Sequence, residues 1–289
     1  NILKLNLGDI RERFAIQIRQ TQTALVKLRP FLELLQTDRR ANLQMNLAPY
    51  ELRSDNFRRF TADGGRVQDT PATRTSVFRG SVSMGGNSTG EAIFTFDEQF
   101  VLGRWDEGEA TYFLEPLWRF VPGADRELYV IYEERAAIIP EGFCGANVPA
   151  QMEELEHRGD HDHDHDHANE QQNRSVGECL ITELALASDF ELYQDFGSNA
   201  TSVENFMLNN LANVQTNYDD EFADEILFEV VTTFIATCSA TSCDPWTNST
   251  NAGTLLNDFT DWGNGGGFGG VTYDVATLWS GRNFNGGTI

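Results

Sequence analysis

The hydrophobic pattern of residues 1–150 predicts an α+β unit that is rich in β-strands. Leu3, Leu5 and Leu7 alternate with polar residues, as in a strand. A stretch with helical spacing follows, and Pro30 interrupts it. Beyond it, clusters of Gly, Asp and Asn separate short runs rich in β-branched and aromatic residues, which predict strands joined by turns. Those runs occupy residues 77–82, 92–96, 111–114 and 128–132.

Residues 176–289 alternate between strand-like and helical periods. Three apolar runs predict strands, at residues 180–186, 226–235 and 271–278. A helix is predicted between the first two runs, opened by a capping box of Thr201 and Glu204. Its predicted apolar face contains Val203, Phe206, Met207, Asn210, Leu211, Val214 and Tyr218. A second amphipathic helix over residues 252–263 precedes the third strand. This β-α-β-α-β order predicts a mixed, mostly parallel α/β sheet flanked by helices.

Residues 151–175 form a polar, low-complexity tract between these two units. Histidine alternates with aspartate at its centre, and the histidines are His161, His163, His165 and His167. Such a tract buries too little apolar surface to fold by itself, which favours a flexible linker containing an activation-cleavage region. The alternative is a metal-binding run of low specificity, because closely spaced imidazoles bind zinc, copper or nickel.

Charge is distributed unevenly along the 289 residues, whose net charge is −23. Residues 1–60 hold 11 Lys and Arg against 6 Asp and Glu. Residues 176–289 hold 16 Asp and Glu against one basic residue, Arg282. Opposite charges predict attraction between the two ends, although an acidic secreted protein kept soluble by its charge would have a similar total. The acidic total disfavours nucleic-acid binding, and no run of 18 apolar residues predicts a membrane span.

The four cysteines favour an oxidising compartment. Cys238 and Cys243 enclose four residues, a spacing that a disulfide can close without forcing the backbone. Several Asn-x-Ser/Thr sequons suit the same compartment. The protein is therefore expected to be secreted and extracellular.

Several phrases of the chain resemble zinc metalloproteases of the reprolysin/adamalysin type, which are metzincins. In residues 176–289 the phrases are ITELALASD (181–189), NLANV (210–214), LLNDFTDW (255–262), YDVA (273–276) and GRNF (281–284). The N-terminal unit resembles the propeptide of this family through FRG (78–80), YFLEPL (112–117) and YVIY (129–132). No single phrase is specific, and the resemblance depends on their order and spacing.

The resemblance implies a zymogen with three parts. Residues 1–150 would be the propeptide domain, residues 151–175 the linker, and residues 176–289 the N-terminal part of the catalytic domain, with the propeptide packed on it. In this family three helix-borne histidines hold zinc, and a glutamate acts as general base on the zinc-bound water that hydrolyses peptide bonds. The HExxH motif does not occur in the 289 residues. It is expected beyond Ile289, so no catalytic residue is assigned here and the chain alone is expected to be inactive.

The phrase GFCGAN at residues 142–147 resembles the cysteine switch of the family. In that arrangement Cys144 would be the inhibitory zinc ligand, because a thiolate binds zinc well and displaces the nucleophilic water. The alternative is a structural disulfide, for instance between Cys144 and Cys179.

Two further roles are implied by the resemblance. Glu183 and Asp274 match the first-strand Glu and third-strand Asp that hold calcium in adamalysin-type enzymes, and carboxylates suit this hard cation. The remaining ligands would lie beyond the chain, so calcium binding is expected to be weak; both residues are otherwise ordinary polar ends of strands. Gly287, Thr288 and Ile289 match the start of the edge strand to which substrate peptides add as an extra strand.

These features give one leading function and two alternatives. The leading hypothesis is a secreted zinc-dependent metalloendopeptidase in zymogen form, acting on peptide or protein substrates. The first alternative is a catalytically inactive secreted interaction or assembly protein that keeps a protease-like fold. The second is a metal-binding secreted protein that uses the His-Asp run.

Overall fold

The structure is a computed structural model in which strands predominate. It describes residues 2–4, 24–26, 43–63, 66–84, 87–137, 180–223, 225–238, 240, 244–284 and 287–288. None of the helices in these ranges is long and apolar enough to cross a membrane.

Fifteen strands are present in the described part of the chain. In chain order they are β1 (Ile2–Lys4), β2 (Ala24–Val26), β3 (Leu43–Pro49), β4 (Arg53–Asp63), β5 (Arg66–Thr70), β6 (Val77–Met84), β7 (Asn87–Phe96), β8 (Val101–Glu107), β9 (Ala110–Pro116), β10 (Leu128–Glu133), β11 (Leu180–Ser188), β12 (Ile226–Ala236), β13 (Val275–Trp279), β14 (Asn283–Phe284) and β15 (Gly287–Thr288). The four runs predicted at residues 77–82, 92–96, 111–114 and 128–132 lie within β6, β7, β9 and β10. The strand predicted from Leu3, Leu5 and Leu7 lies partly in β1 and partly outside the described residues.

Eight of these strands form an antiparallel sheet. Their order is β1-β10-β9-β8-β7-β6-β3-β2. The strands from β6 to β10 pair with their neighbours in the chain, as in a meander. Local pairing of this kind needs only short turns, which the Gly, Asp and Asn clusters supply.

The second sheet takes strands from both halves of the chain. Its order is β13-β11-β12-β4-β5, with the first four strands parallel and β5 antiparallel to β4. Strands β4 and β5 precede β11 by more than 100 residues of sequence. A separate two-stranded pair joins β14 to β15.

Three α-helices accompany the second sheet in the described residues. They are α1 (Phe190–Asp195), α2 (Ala200–Phe222) and α3 (Ala252–Asn264). The cap of α2 is Asn199, whose side-chain oxygen accepts from the N–H groups of Thr201 and Ser202. The predicted capping box of Thr201 and Glu204 is therefore wrong, because Asn199 already satisfies these N–H groups and Glu204 is turned into the protein interior.

Two apolar cores lie on opposite sides of the second sheet. One contains the buried side of α2 together with residues of the antiparallel sheet, among them Val77, Ile93 and Leu102. The other packs α3 against β4 and β12, through residues such as Phe60 and Phe234. Helix α2 therefore lies between the two sheets, and the N-terminal half contributes to both cores.

The fold class predicted from the sequence is wrong. The prediction was a β-rich unit followed by a mostly parallel α/β sheet flanked by helices. The structure is mostly β, with one antiparallel and one mixed sheet. The hydrophobic period located β11, β12 and β13, but it reports how a strand is buried and not which strands pair. The joining of β4 and β5 to the second sheet is a long-range contact that no local pattern encodes.

Candidate functional site

Most residues with a predicted zinc-related role lie outside the described residues. These are Cys144, His161, His163, His165 and His167; Ile289 of the predicted substrate edge and Cys243 lie outside as well. Cys238 is disulfide-bonded, and its pairing with Cys243 stays a prediction. Gly287 and Thr288 form β15, which pairs with β14, and their role as a substrate-binding edge also stays a prediction.

Glu183 and Asp274 lie side by side; Glu183 is in the first half of β11, and Asp274 immediately precedes β13. The backbone N–H of Glu183 donates to a carboxylate oxygen of Asp274 at 2.9 Å. The backbone N–H of Asp274 donates to the carbonyl oxygen of Glu183 at 2.9 Å. These two bonds hold the two residues next to each other, toward the N-terminal ends of β11 and β13 in the second sheet.

A polar pocket of about 370 Å³ opens beside Glu183. Its polar lining residues are Ser54, Asp55, Asn56, Glu183, Glu229 and Thr272. The pocket lies where two strands are irregular: Val231 is an extra residue of β12 relative to β11, and β4 carries three extra residues between Arg53 and Arg58 relative to β12. Extra residues bend a strand away from its partner, and here Ser54, Asp55 and Asn56 of the irregular β4 segment line the pocket.

Two glutamates on neighbouring strands are in register at this pocket. Glu183 of β11 is paired with Glu229 of β12. Like charges directly opposite each other on neighbouring strands are unfavourable, and a bound cation would relieve the repulsion. Carboxylate, hydroxyl and carbonyl oxygens are the ligands that calcium prefers. Among the described residues, the place where three acidic ligand atoms lie within 4.8 Å of one another is elsewhere in the fold. The carboxylates at this pocket would therefore form an incomplete cation site.

That other place is a buried carboxylate group formed by Asp189, Glu191 and Asp244. Arg282 lies among the three: its Nε is 3.4 Å from Asp189 and 3.2 Å from Glu191, and its Nη2 contacts Asp244. The guanidinium also donates to the carbonyl oxygen of Thr247 at 2.7 Å. Arg282 therefore supplies the positive charge that a metal ion would supply, and the geometry is that of a structural ion-pair network.

The network ties three segments together. Asp189 accepts from the N–H of Leu192 at 2.9 Å, which caps α1, and from the N–H of Gly281 at 3.0 Å. Asp244 accepts from the N–H of Phe190 at 3.0 Å. A Cβ at Gly281 would lie 2.5 Å from the backbone nitrogen of Leu192, so only glycine permits this approach to α1.

Burial changes the acidity of this network. The pKa of Asp244 is raised to about 6, chiefly by burial; the charge of Asp189 also raises this pKa, while the backbone hydrogen bond from Phe190 and the charge of Arg282 lower it. Burial also raises the pKa of Asp189. The ionised forms are disfavoured because few water molecules reach either carboxylate. The sequence offered one signal for the network, the solitary basic residue Arg282 among 16 acidic ones.

A second buried ion pair connects the two halves of the chain. Glu204 of α2 is fully buried and lies 2.8 Å from Nη1 of Arg53 and 2.8 Å from Nε of Arg59, both on β4. Arg53 also pairs with Glu51 at 2.7 Å. Burial raises the pKa of Glu204, and the two guanidinium groups oppose that rise. The attraction predicted between a basic N-terminal segment and an acidic C-terminal one is present at this contact.

Further buried polar groups extend the contact along α2. Asp97, at the end of β7, accepts from the hydroxyl of Ser202 at 2.7 Å and from the amide of Asn205 at 2.8 Å. One turn further, the hydroxyl of Thr95 donates to Asn209 at 2.8 Å. These buried side chains satisfy one another across the two halves, as buried polar groups must.

Comparison with known proteins identifies no relative of this chain. No family model matches it, and no curated protein matches its sequence. The resemblance to reprolysin-type proteases therefore depends on the short phrases quoted above.

Proposed function

We propose that this chain is the zymogen portion of a secreted, zinc-dependent metalloendopeptidase. In this proposal the N-terminal unit is the propeptide, and residues 176–289 are the first part of the catalytic domain. The observation that supports it is the pairing of β4, from the N-terminal unit, with β12 in the second sheet. Arg53 and Arg59 of β4 also form ion pairs with Glu204 of α2. A propeptide that supports and restrains its enzyme needs an extensive contact of this kind.

The residues that the structure describes do not provide a zinc centre. In the described ranges the one compact group of potential ligands consists of carboxylates, and Arg282 is bound to all three of them. Zinc in proteases is held by histidines, with one position left open for water. No catalytic step is therefore assigned to residues of this chain, and their proposed part is to build and position the sheet.

The same proposal assigns weak calcium binding to the pocket beside Glu183. Glu183 and Asp274 are held together by backbone hydrogen bonds, and Glu229 lies in register with Glu183. The fit is partial: carboxylate oxygens suit calcium, but among the described residues the carboxylates at this pocket do not bring three ligand atoms within 4.8 Å of one another.

The test is to express the protein with whatever coding sequence follows Ile289 and to measure hydrolysis of a fluorogenic casein. The proposal expects an HExxH helix in that sequence, together with activity that a zinc chelator abolishes and added zinc restores. A zymogen should gain activity when it is cut within residues 151–175. An absent HExxH motif, or hydrolysis that the chelator leaves unchanged, overturns the proposal.

One observation favours the alternative of an inactive interaction protein. The carboxylates of Asp189, Glu191 and Asp244 are bound by Arg282 and are mostly buried, so the clearest cluster of titratable groups is structural. Under this alternative no casein is hydrolysed with or without the chelator, and whether or not the chain is cut within residues 151–175.

A further inference from the structure

Strand β4 occupies an interior position in a sheet whose other parallel strands come from the opposite half of the chain. It pairs in parallel with β12 from Arg58↔Thr232 to Ala62↔Ala236 and antiparallel with β5 on its other side. The N–H of Val230 also donates to the carbonyl oxygen of Leu52 at 2.7 Å. Without β4, this edge of β12 would present a row of unpaired backbone groups.

Both faces of β4 are used by the second half. On one face Arg53 and Arg59 reach Glu204. On the other face Phe60 and Ala62 belong to the core that contains α3. Phe60 lies so close to Gly269 that a Cβ there would be 2.5 Å from its ring. The strand is therefore bound through its backbone, its charges and its apolar side chains.

Glu204 depends on the N-terminal half for its counter-ions. Arg282 is the one basic residue among residues 176–289. It is held by Asp189 and Asp244. If β4 left, Glu204 would have no guanidinium or ammonium group from its own half to neutralise it. An unpaired buried charge is strongly unfavourable, so the surface selects a strand that carries arginines at these positions.

We infer that the edge of β12 and the polar face of α2 together form a receptor for an arginine-bearing β-strand. The occupant is the N-terminal unit, residues 43–137, and it stays bound when the chain between the two halves is cut. Strand addition supplies affinity through main-chain hydrogen bonds, and side-chain sites supply specificity. Asp97 with Ser202 and Asn205, and Thr95 with Asn209, extend the same contact. This inference does not depend on protease activity.

The experiment cuts the full chain and measures whether the halves separate. A specific protease site replaces residues 161–167, and Cys144→Ser removes any disulfide that would bridge the cut. Complete cleavage is verified by denaturing electrophoresis, and the product is then examined by native size-exclusion chromatography and native mass spectrometry. Co-elution as one complex at micromolar concentration is expected. Separation of the fragments, or precipitation of either one on cutting, overturns the inference.

A variant pair tests the receptor at residue level. Arg53→Gln with Arg59→Gln is expected to raise the dissociation constant of the cut complex by at least about 100-fold, because Glu204 loses both partners. Arg66→Gln is the matched control, since Arg66 is an exposed residue of β5 in the same hairpin. Should the double variant fail to fold before cutting, Arg59→Gln alone is measured and is expected to raise the constant at least about tenfold. Equal dissociation constants for the arginine variants and the control contradict the assigned specificity.

Discussion

At the scale of single residues, the buried charges of this protein are paired across long sequence distances. Glu204 was predicted to close a helix cap because it follows Thr201 by three residues, yet Asn199 caps α2 and Glu204 pairs with two arginines of β4. The spacing of a capping box is a local signal. The capping box does not form here, because Asn199 already accepts hydrogen bonds from the first N–H groups of the helix. Tertiary packing also brings Arg53 and Arg59 to Glu204.

The first prediction concerns Glu204→Gln. The substitution keeps the shape of the side chain, leaves the buried guanidinium of Arg59 without a carboxylate partner and leaves Arg53 with Glu51 alone. We expect the free energy of unfolding to fall by about 3–5 kcal/mol, measured by urea denaturation. Glu221→Gln, at an exposed position of the same helix, should change it by no more than about 0.5 kcal/mol. Equal stability of the two variants would contradict the assigned role of Glu204.

The second prediction concerns the pH dependence that Asp244 confers. Its pKa is about 6 in the folded protein against an ordinary 3.8, so the folded state binds this proton more tightly than the unfolded state does. Its contribution to stability is therefore complete below about pH 4 and is lost as the pH rises through about 6. Asp189 belongs to the same network, and the two groups titrate together.

The measurement compares the wild type with Asp244→Asn across this range. The difference in free energy of unfolding, wild type minus variant, should decrease between about pH 4 and about pH 6.5. Asp261→Asn, an exposed position of α3, serves as the reference substitution. A difference that stays constant or increases with pH would show that Asp244 does not bind its proton as assigned.

At the scale of elements, α2 shows how a helix can be buried on more than its apolar face. The sequence predicted one apolar face, and residues such as Phe206, Met207 and Leu211 are indeed buried. The structure also buries Ser202, Asn205 and Asn209, because β7 and the turn after it lie on that side. Hydrophobic periodicity cannot reveal a buried face whose residues are polar.

The third prediction concerns the start of the strands β11, β12 and β13. Parallel pairing and backbone hydrogen bonds bring Glu183, Glu229 and Asp274 to one edge. Because the ligand set is incomplete, millimolar calcium should raise the melting temperature by only a few degrees, about 2–4 °C. Glu183→Gln should abolish that increase, whereas Glu225→Gln, an exposed position just before β12, should retain it. An unchanged calcium effect in Glu183→Gln would remove Glu183 from the site.

At the scale of the whole molecule, the two halves share a sheet and a core. Strands β4 and β5 complete the second sheet, and one apolar core contains Leu52, Val77 and Ile93 together with residues of α2. The N-terminal half thereby covers surface that the second half would otherwise expose. Interleaving of this kind couples the stability of the halves, because neither can unfold without uncovering the core of the other.

The fourth prediction follows from that coupling. Urea unfolding should be a single transition in which tryptophan fluorescence and far-UV circular dichroism coincide. The two signals sample both halves, since Trp105 and Trp118 lie in the first and Trp246, Trp262 and Trp279 in the second. Two separated transitions would show that the halves are independent, and would also weaken the proposed strand receptor.

The sequence by itself determined the local elements. The runs that became β6, β7, β9 and β10, the strands β11 and β12, and the helix α3 all follow from hydrophobic period and turn residues, which act over a few positions. Charge asymmetry also indicated that the two ends attract, and Arg53, Arg59 and Glu204 carry that attraction. The resemblance pointed to Glu183 and Asp274, which the fold places side by side.

Only the tertiary structure decided which strands pair and which charges meet. The insertion of β4 beside β12, the burial of the polar face of α2 and the gathering of Asp189, Glu191 and Asp244 around Arg282 join residues that are far apart in sequence. Their free energy comes from excluding water over surfaces that form only when both halves are in place. A local pattern carries no information about such a partner, so the fold class was missed while its elements were found.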